Sequence, residues 1–115
     1  THRHIDLAGS PKSSIRKDLK RSKLLLEDKL GESVHLLAYP FGRSSHRAKD
    51  VLRELDFKAA FSLSPESYFS DVLRIPRYGV YLFDHKIFLK AKLDENWLTC
   101  IEKPKLKIIN FLSAG

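Results

Sequence analysis

Residues 34–42, Val-His-Leu-Leu-Ala-Tyr-Pro-Phe-Gly, constrain this chain more than any other stretch. Apolar residues fill most of it, and Pro40 and Gly42 then forbid regular continuation, so it predicts a short buried strand that runs straight into a rigid loop. In α/β architectures the C-terminal ends of parallel strands carry the active-site loops, which would present Tyr39, Pro40 and Phe41 at a functional rim. The same pattern also describes a plain strand end closed by a proline turn.

The flanking segments predict helices and strands in alternation. Residues 1–9 form a polar loop, and a helix follows with Ser10 as N-cap, Pro11 at its first position and Gly31 as its stop. Ile15, Leu19, Leu26 and Leu30 share one side, interrupted only by Ser22, which predicts an amphipathic helix with a buried face. Its other faces carry Arg16, Lys17, Lys20, Arg21 and Lys23, read as solvated because no aromatic residues interleave them. Beyond the central strand, Ser44 or Ser45 caps a second helix, in which Ala48, Val51, Leu52 and Leu55 repeat on one face and which ends near Asp56. Residues 57–63 then read as another strand. Helix, strand, helix, strand with short connections is the pattern of βα units on a parallel sheet. Residues 64–71 are a polar loop, and 72–77 a short extended piece ended by Pro76, which residues 78–82 continue. Asp84 caps an expected third helix through Phe88, Leu89 and Lys92, and the apolar run 106–112 is too short to assign.

With 115 residues, 43% of them hydrophobic, the chain forms one domain with one core. Its 21 basic residues outnumber 14 acidic ones for a net charge of +7, which permits attraction to anionic surfaces without choosing among them. A basic nucleic-acid-binding module is therefore one alternative, and it predicts affinity that falls steeply with salt. Cys100 stands alone, which excludes an internal disulfide and a multi-cysteine zinc site. No stretch approaches the about 18 apolar residues of a membrane span, and no signal peptide is seen, although the natural start is expected to lie elsewhere.

Four segments, in this order and spacing, resemble the C-terminal portion of the polysaccharide deacetylase family, the NodB homology domain. Thr1-His2-Arg3-His4-Ile5-Asp6-Leu7 is similar to the family's His-Ser/Thr-x-x-His motif from its second position onward. Ala38-Tyr39-Pro40-Phe41-Gly42 is similar to its third motif, with Ala38 where many members have arginine. Leu55-Asp56-Phe57-Lys58-Ala59-Ala60-Phe61-Ser62 resembles the strand that follows, and Arg74-Ile75-Pro76-Arg77 resembles a Leu-Pro-Arg segment of the branch acting on extracellular glucosamine polymers.

The resemblance implies metal-dependent removal of acetyl groups from an N-acetylated polysaccharide, on an α/β fold that is part of an irregular (β/α) barrel lacking its N-terminal strands. It makes residues 1–115 a single partial domain and His4 a metal ligand. It makes the backbone amide of Phe41 the oxyanion donor, on a catalytic loop with Tyr39 and Pro40, and Arg77 a contact for the substrate or the catalytic carboxylate. Zinc, or another divalent transition metal such as cobalt or nickel, is the implied cofactor. The implied partner is the polysaccharide rather than nucleic acid, in an extracellular, cell-surface or periplasmic setting. The family's Asp-Asp motif and first histidine have no counterpart here, so a segment upstream of Thr1 is expected to supply them and the first strands. Leu82-Phe83-Asp84-His85 has one residue too many for the family's Leu-x-His motif, so His85 takes no role. His2, His35 and His46 are likewise read as ordinary histidines. A noncatalytic glycan-binding domain on the same scaffold is the remaining alternative.

Overall fold

The computed structural model describes residues 1–63 and 71–79, together with Lys86 and Lys90, which are helical. A loop leads into α1 (Lys12–Leu30), followed by β1 (Leu36–Ala38), a 3₁₀ turn (Pro40–Gly42), α2 (His46–Glu54) and β2 (Ala59–Ser62). A second 3₁₀ turn (Val72–Arg74) then leads into β3 (Ile75–Pro76). The strands lie in the order β1-β2-β3 and both pairings are parallel, with Leu37 opposite Ala60 and Ser62 opposite Pro76. The expected α/β class is therefore observed, as a small parallel sheet compatible in size with part of a barrel.

Alternation along the strands divides the sheet into two faces. Leu37, Tyr39, Ala60 and Ser62 are buried, and all but Ser62 join Ile15 and Leu19 of α1 and Ala48, Val51 and Leu52 of α2 in the core. Burying each of the larger aliphatic side chains stabilises by about 1.5–3 kcal/mol. On the other face Leu36 and Ala38 are exposed and Ala59, Phe61 and Ile75 half-buried. Ser45 caps α2 as expected, its hydroxyl oxygen accepting from the amide of Ala48 at 3.2 Å. Gly31 ends α1 in the left-handed region at φ +70°, its amide bonded to the carbonyl of Glu27.

Several boundaries differ from expectation. Pro11, not Ser10, takes the N-cap position of α1 and no side chain caps it, because the amide of Ser10 closes a turn onto the carbonyl of Asp6 and Pro11 stays extended. Leu26 and Leu30, expected on the buried face, are 45% and 63% exposed. At 19 residues α1 is about 28 Å long, while the strands have two to four residues, so its last turns run past the sheet. The central strand is also shorter than residues 34–42. Its start is occupied by α1, where Glu27 accepts from the amide of Val34 at 2.9 Å and Lys23 donates to the carbonyl of Val34. Lys23 and Glu27 are themselves an ion pair at 2.7 Å, and that contact holds the Glu27 carboxyl below its usual range. The first half of 72–77 is helical rather than extended, since the carboxylate of Asp71 caps the turn through the amide of Leu73 at 2.9 Å. β3 ends at Pro76, so the expected continuation over 78–82 is not seen at 78 and 79, and its remainder, the Asp84 cap, His85, Cys100 and the apolar run 106–112 lie outside the described residues.

Candidate active site

Parallel strands place their C-terminal ends on one rim, and the sequence puts a chain-reversing turn at the end of β1. Pro40 cannot donate to a ladder, and Gly42 closes the turn at φ +67° with its amide on the carbonyl of Tyr39 at 3.0 Å. Only glycine fits at this position. A Cβ there would lie 2.2 Å from Cβ of Leu63 and 2.5 Å from its backbone nitrogen. The carbonyl of Gly42 accepts from Leu63 at 3.1 Å, so the turn is bonded to the end of β2.

Between Pro40 and Gly42, Phe41 adopts φ +55° and ψ +10°, a left-handed conformation that costs a side chain of this kind about 1–2 kcal/mol. Its amide donates to no acceptor among the described residues. Every other backbone donor from 39 to 43 is used: Tyr39 bonds to Phe61, Gly42 to Tyr39 and Arg43 to Pro40, while Pro40 has no N–H. Among the described residues the turn thus holds one donor without an acceptor, in a fixed direction.

The N-terminal loop reaches the same rim. His4 packs its ring edge-on against that of Phe41, with centroids 5.1 Å apart and planes at 75°. Among the described residues three non-glycines have positive φ, and two of them are His4, at +54°, and Phe41. Strained backbone of this kind gathers at functional sites.

Buried Asp18 of α1 fixes the loop that carries His4, its two carboxylate oxygens accepting from the amides of His2 at 3.0 Å and Arg3 at 2.9 Å. Asp6 accepts from the amide of Ala8 and forms an ion pair with Arg43 at 3.1 Å, and the hydroxyl of Ser45 donates to the carbonyl of Leu7 at 3.1 Å. The loop is therefore bonded to both helices and to the residue just after the turn. Sequence reasoning missed Asp18. The signal was present, because Asp18 lies three residues after Ile15 and four before Ser22, on the apolar side of α1 among cations that face outward.

Tyr39 and Arg77 lie beneath the turn rather than on it. The side chain of Tyr39 is 1% exposed, and its hydroxyl donates to the carbonyl of Leu73 at 2.7 Å. Burial raises its pKa well above the usual value for a phenol, and the nearby carboxylate of Asp71 adds to that shift. Arg77 donates through Nη2 to the carbonyl of Tyr39 at 3.3 Å, and its own amide bonds to the carbonyl of Ser62. Nε of Arg77 and Oγ of Ser62 are buried with no partner among the described residues. His35 sits at the opposite end of β1, its Nδ1 3.2 Å from the carbonyl of Asp56.

A catalytic zinc takes about three protein ligands. Among the described residues no group of three or more His, Cys, Asp or Glu could hold a metal ion, so His4 and its surroundings do not fit a complete metal site by themselves. No helix among the described residues is long and apolar enough to cross a membrane.

Among the described residues, one rim of the parallel sheet thus joins a histidine loop to a glycine-closed turn whose Phe41 amide meets no acceptor. The profile of the family described as polysaccharide deacetylase matches residues 1–60, from the histidine loop through the middle of β2, and the chain belongs to that family. No curated protein matches the chain.

Proposed function

We propose that the chain acts in the metal-dependent hydrolysis of acetyl groups on an N-acetylated polysaccharide. The observation that carries this reading is the contact between His4 and Phe41, which joins the histidine motif to a turn whose one backbone donor without an acceptor among the described residues is the Phe41 amide. Amide hydrolysis passes through a tetrahedral oxyanion, and a preorganised N–H aimed at it is worth about 10²–10³ in rate. The amide of Phe41 suits that role because Pro40 and Gly42 fix its direction. Pro40 contributes through its ring, with no donor of its own to compete. His4 is the residue of this chain that would ligate zinc or another divalent transition metal, and the remaining ligands come from outside the described residues. A segment upstream of Thr1 is their proposed source.

The test is acetate release from N-acetylglucosamine oligomers by the natural full-length product, compared with its His4→Ala variant. Release by the wild type that falls at least a hundredfold in the variant supports the reading. A wild-type protein that releases no acetate from N-acetylated polymers, while binding them, would establish the noncatalytic alternative.

A further inference from the structure

We infer that Tyr39 and Arg77 are positioning residues that hold the Phe41 amide at the rim. The inference rests on the deacetylase reading for its kinetic consequence and on geometry alone for its structural one. Tyr39 is fastened at three points. Its amide donates to the carbonyl of Phe61 at 2.9 Å, its hydroxyl to the carbonyl of Leu73 at 2.7 Å, and its carbonyl accepts from Nη2 of Arg77 at 3.3 Å. The same carbonyl also accepts from the amide of Gly42, which closes the turn around Phe41. The peptide plane that Pro40 inherits from Tyr39 is therefore set by a segment more than thirty residues later in the chain.

That segment is itself fastened to α2. Asp71 accepts from the amide of Leu73 through one oxygen and pairs with Lys49 through the other at 2.9 Å, so the carbonyl that receives the Tyr39 hydroxyl is held against the helix. The bond from the amide of Arg77 to the carbonyl of Ser62 fixes the far end. The chain of contacts runs from Lys49 through Asp71 and Leu73 to Tyr39, and it ends two residues short of the Phe41 amide. A substrate contact by Tyr39 conflicts with its burial, since it is 1% exposed with its hydroxyl engaged, while half-buried Arg77 has an inaccessible Nε and spends Nη2 on the carbonyl of Tyr39. Displacement of a transition-state donor by about 1 Å lowers the rate about a hundredfold while leaving substrate binding largely intact.

The experiment measures acetate release by the full-length product carrying Tyr39→Phe or Arg77→Lys, with active protein counted by its folded fraction. Alongside it, the amide resonance of Phe41 is followed by ¹⁵N NMR. The expected result is kcat lowered at least about tenfold with KM within about twofold, and a Phe41 resonance shifted or broadened while those of Ile15 and Leu19 stay in place. An unchanged kcat per folded molecule overturns the inference, as does a rise in KM with kcat intact, which marks a substrate contact. If the wild type releases no acetate the deacetylase reading fails, and the NMR measurement decides the structural inference by itself. An unmoved Phe41 resonance in Tyr39→Phe then overturns it.

Discussion

The ring of His4 meets the ring of Phe41 edge-on at 5.1 Å, although 37 positions of sequence separate them and both hold backbone conformations that side chains rarely adopt. Removing the imidazole tests what it does there. The described residues offer one family ligand where a catalytic zinc takes about three, so the 115-residue chain is expected to bind zinc weakly or not at all in calorimetry. A version extended upstream is expected to bind it tightly and to lose that binding in His4→Ala. Tight, His4-dependent binding by the short chain would contradict the ligand count.

Gly42→Ala places a methyl group against the backbone of Leu63 at a positive φ. Both effects oppose folding, and the expected loss is about 2 kcal/mol or more in denaturant unfolding. A neutral substitution would show that the turn can shift without cost.

Asp18→Ala leaves the amides of His2 and Arg3 without their acceptors. The expected cost is about 2–3 kcal/mol, together with faster tryptic cleavage after Arg3 as the N-terminal loop comes free. Unchanged cleavage would mean that the Asp6–Arg43 pair and Ser45 suffice to hold the loop.

The hydrogen bond from Lys49, and after it the bond from the Leu73 amide, holds the Asp71 carboxyl below its ordinary value of 3.8. A carboxyl with a lower pKa in the folded state stabilises fully above the unfolded value, and that contribution is lost as pH falls through the folded one. The stability of the wild type should therefore decline from about pH 4 downward, and Asp71→Asn should flatten that decline. Equal acid sensitivity in the two proteins would show that the Lys49–Asp71 pair does not contribute to stability.

Local rules made part of this molecule legible. The parallel sheet followed from alternating short elements, the α2 cap from Ser45, and the turn from Pro40 and Gly42, because each depends on neighbours a few residues away. The exposure of Leu26 and Leu30 was hidden, since periodicity gives the direction a side chain faces but not where the opposing sheet ends. The roles of Tyr39 and Asp18 were hidden for a related reason. The partner of Tyr39 is a carbonyl 34 residues away, and those of Asp18 are backbone amides whose position no sequence pattern records.

The proposed chemistry concentrates on one hydrogen atom, the amide proton of Phe41. Replacing residue 41 with phenyllactate exchanges that N–H for an ester oxygen and leaves the side chain facing His4 intact. In the full-length product the account predicts a kcat for acetate release about a hundredfold lower or more, with KM and His4-dependent zinc binding little changed. An ester variant that releases acetate at the wild-type rate would contradict it.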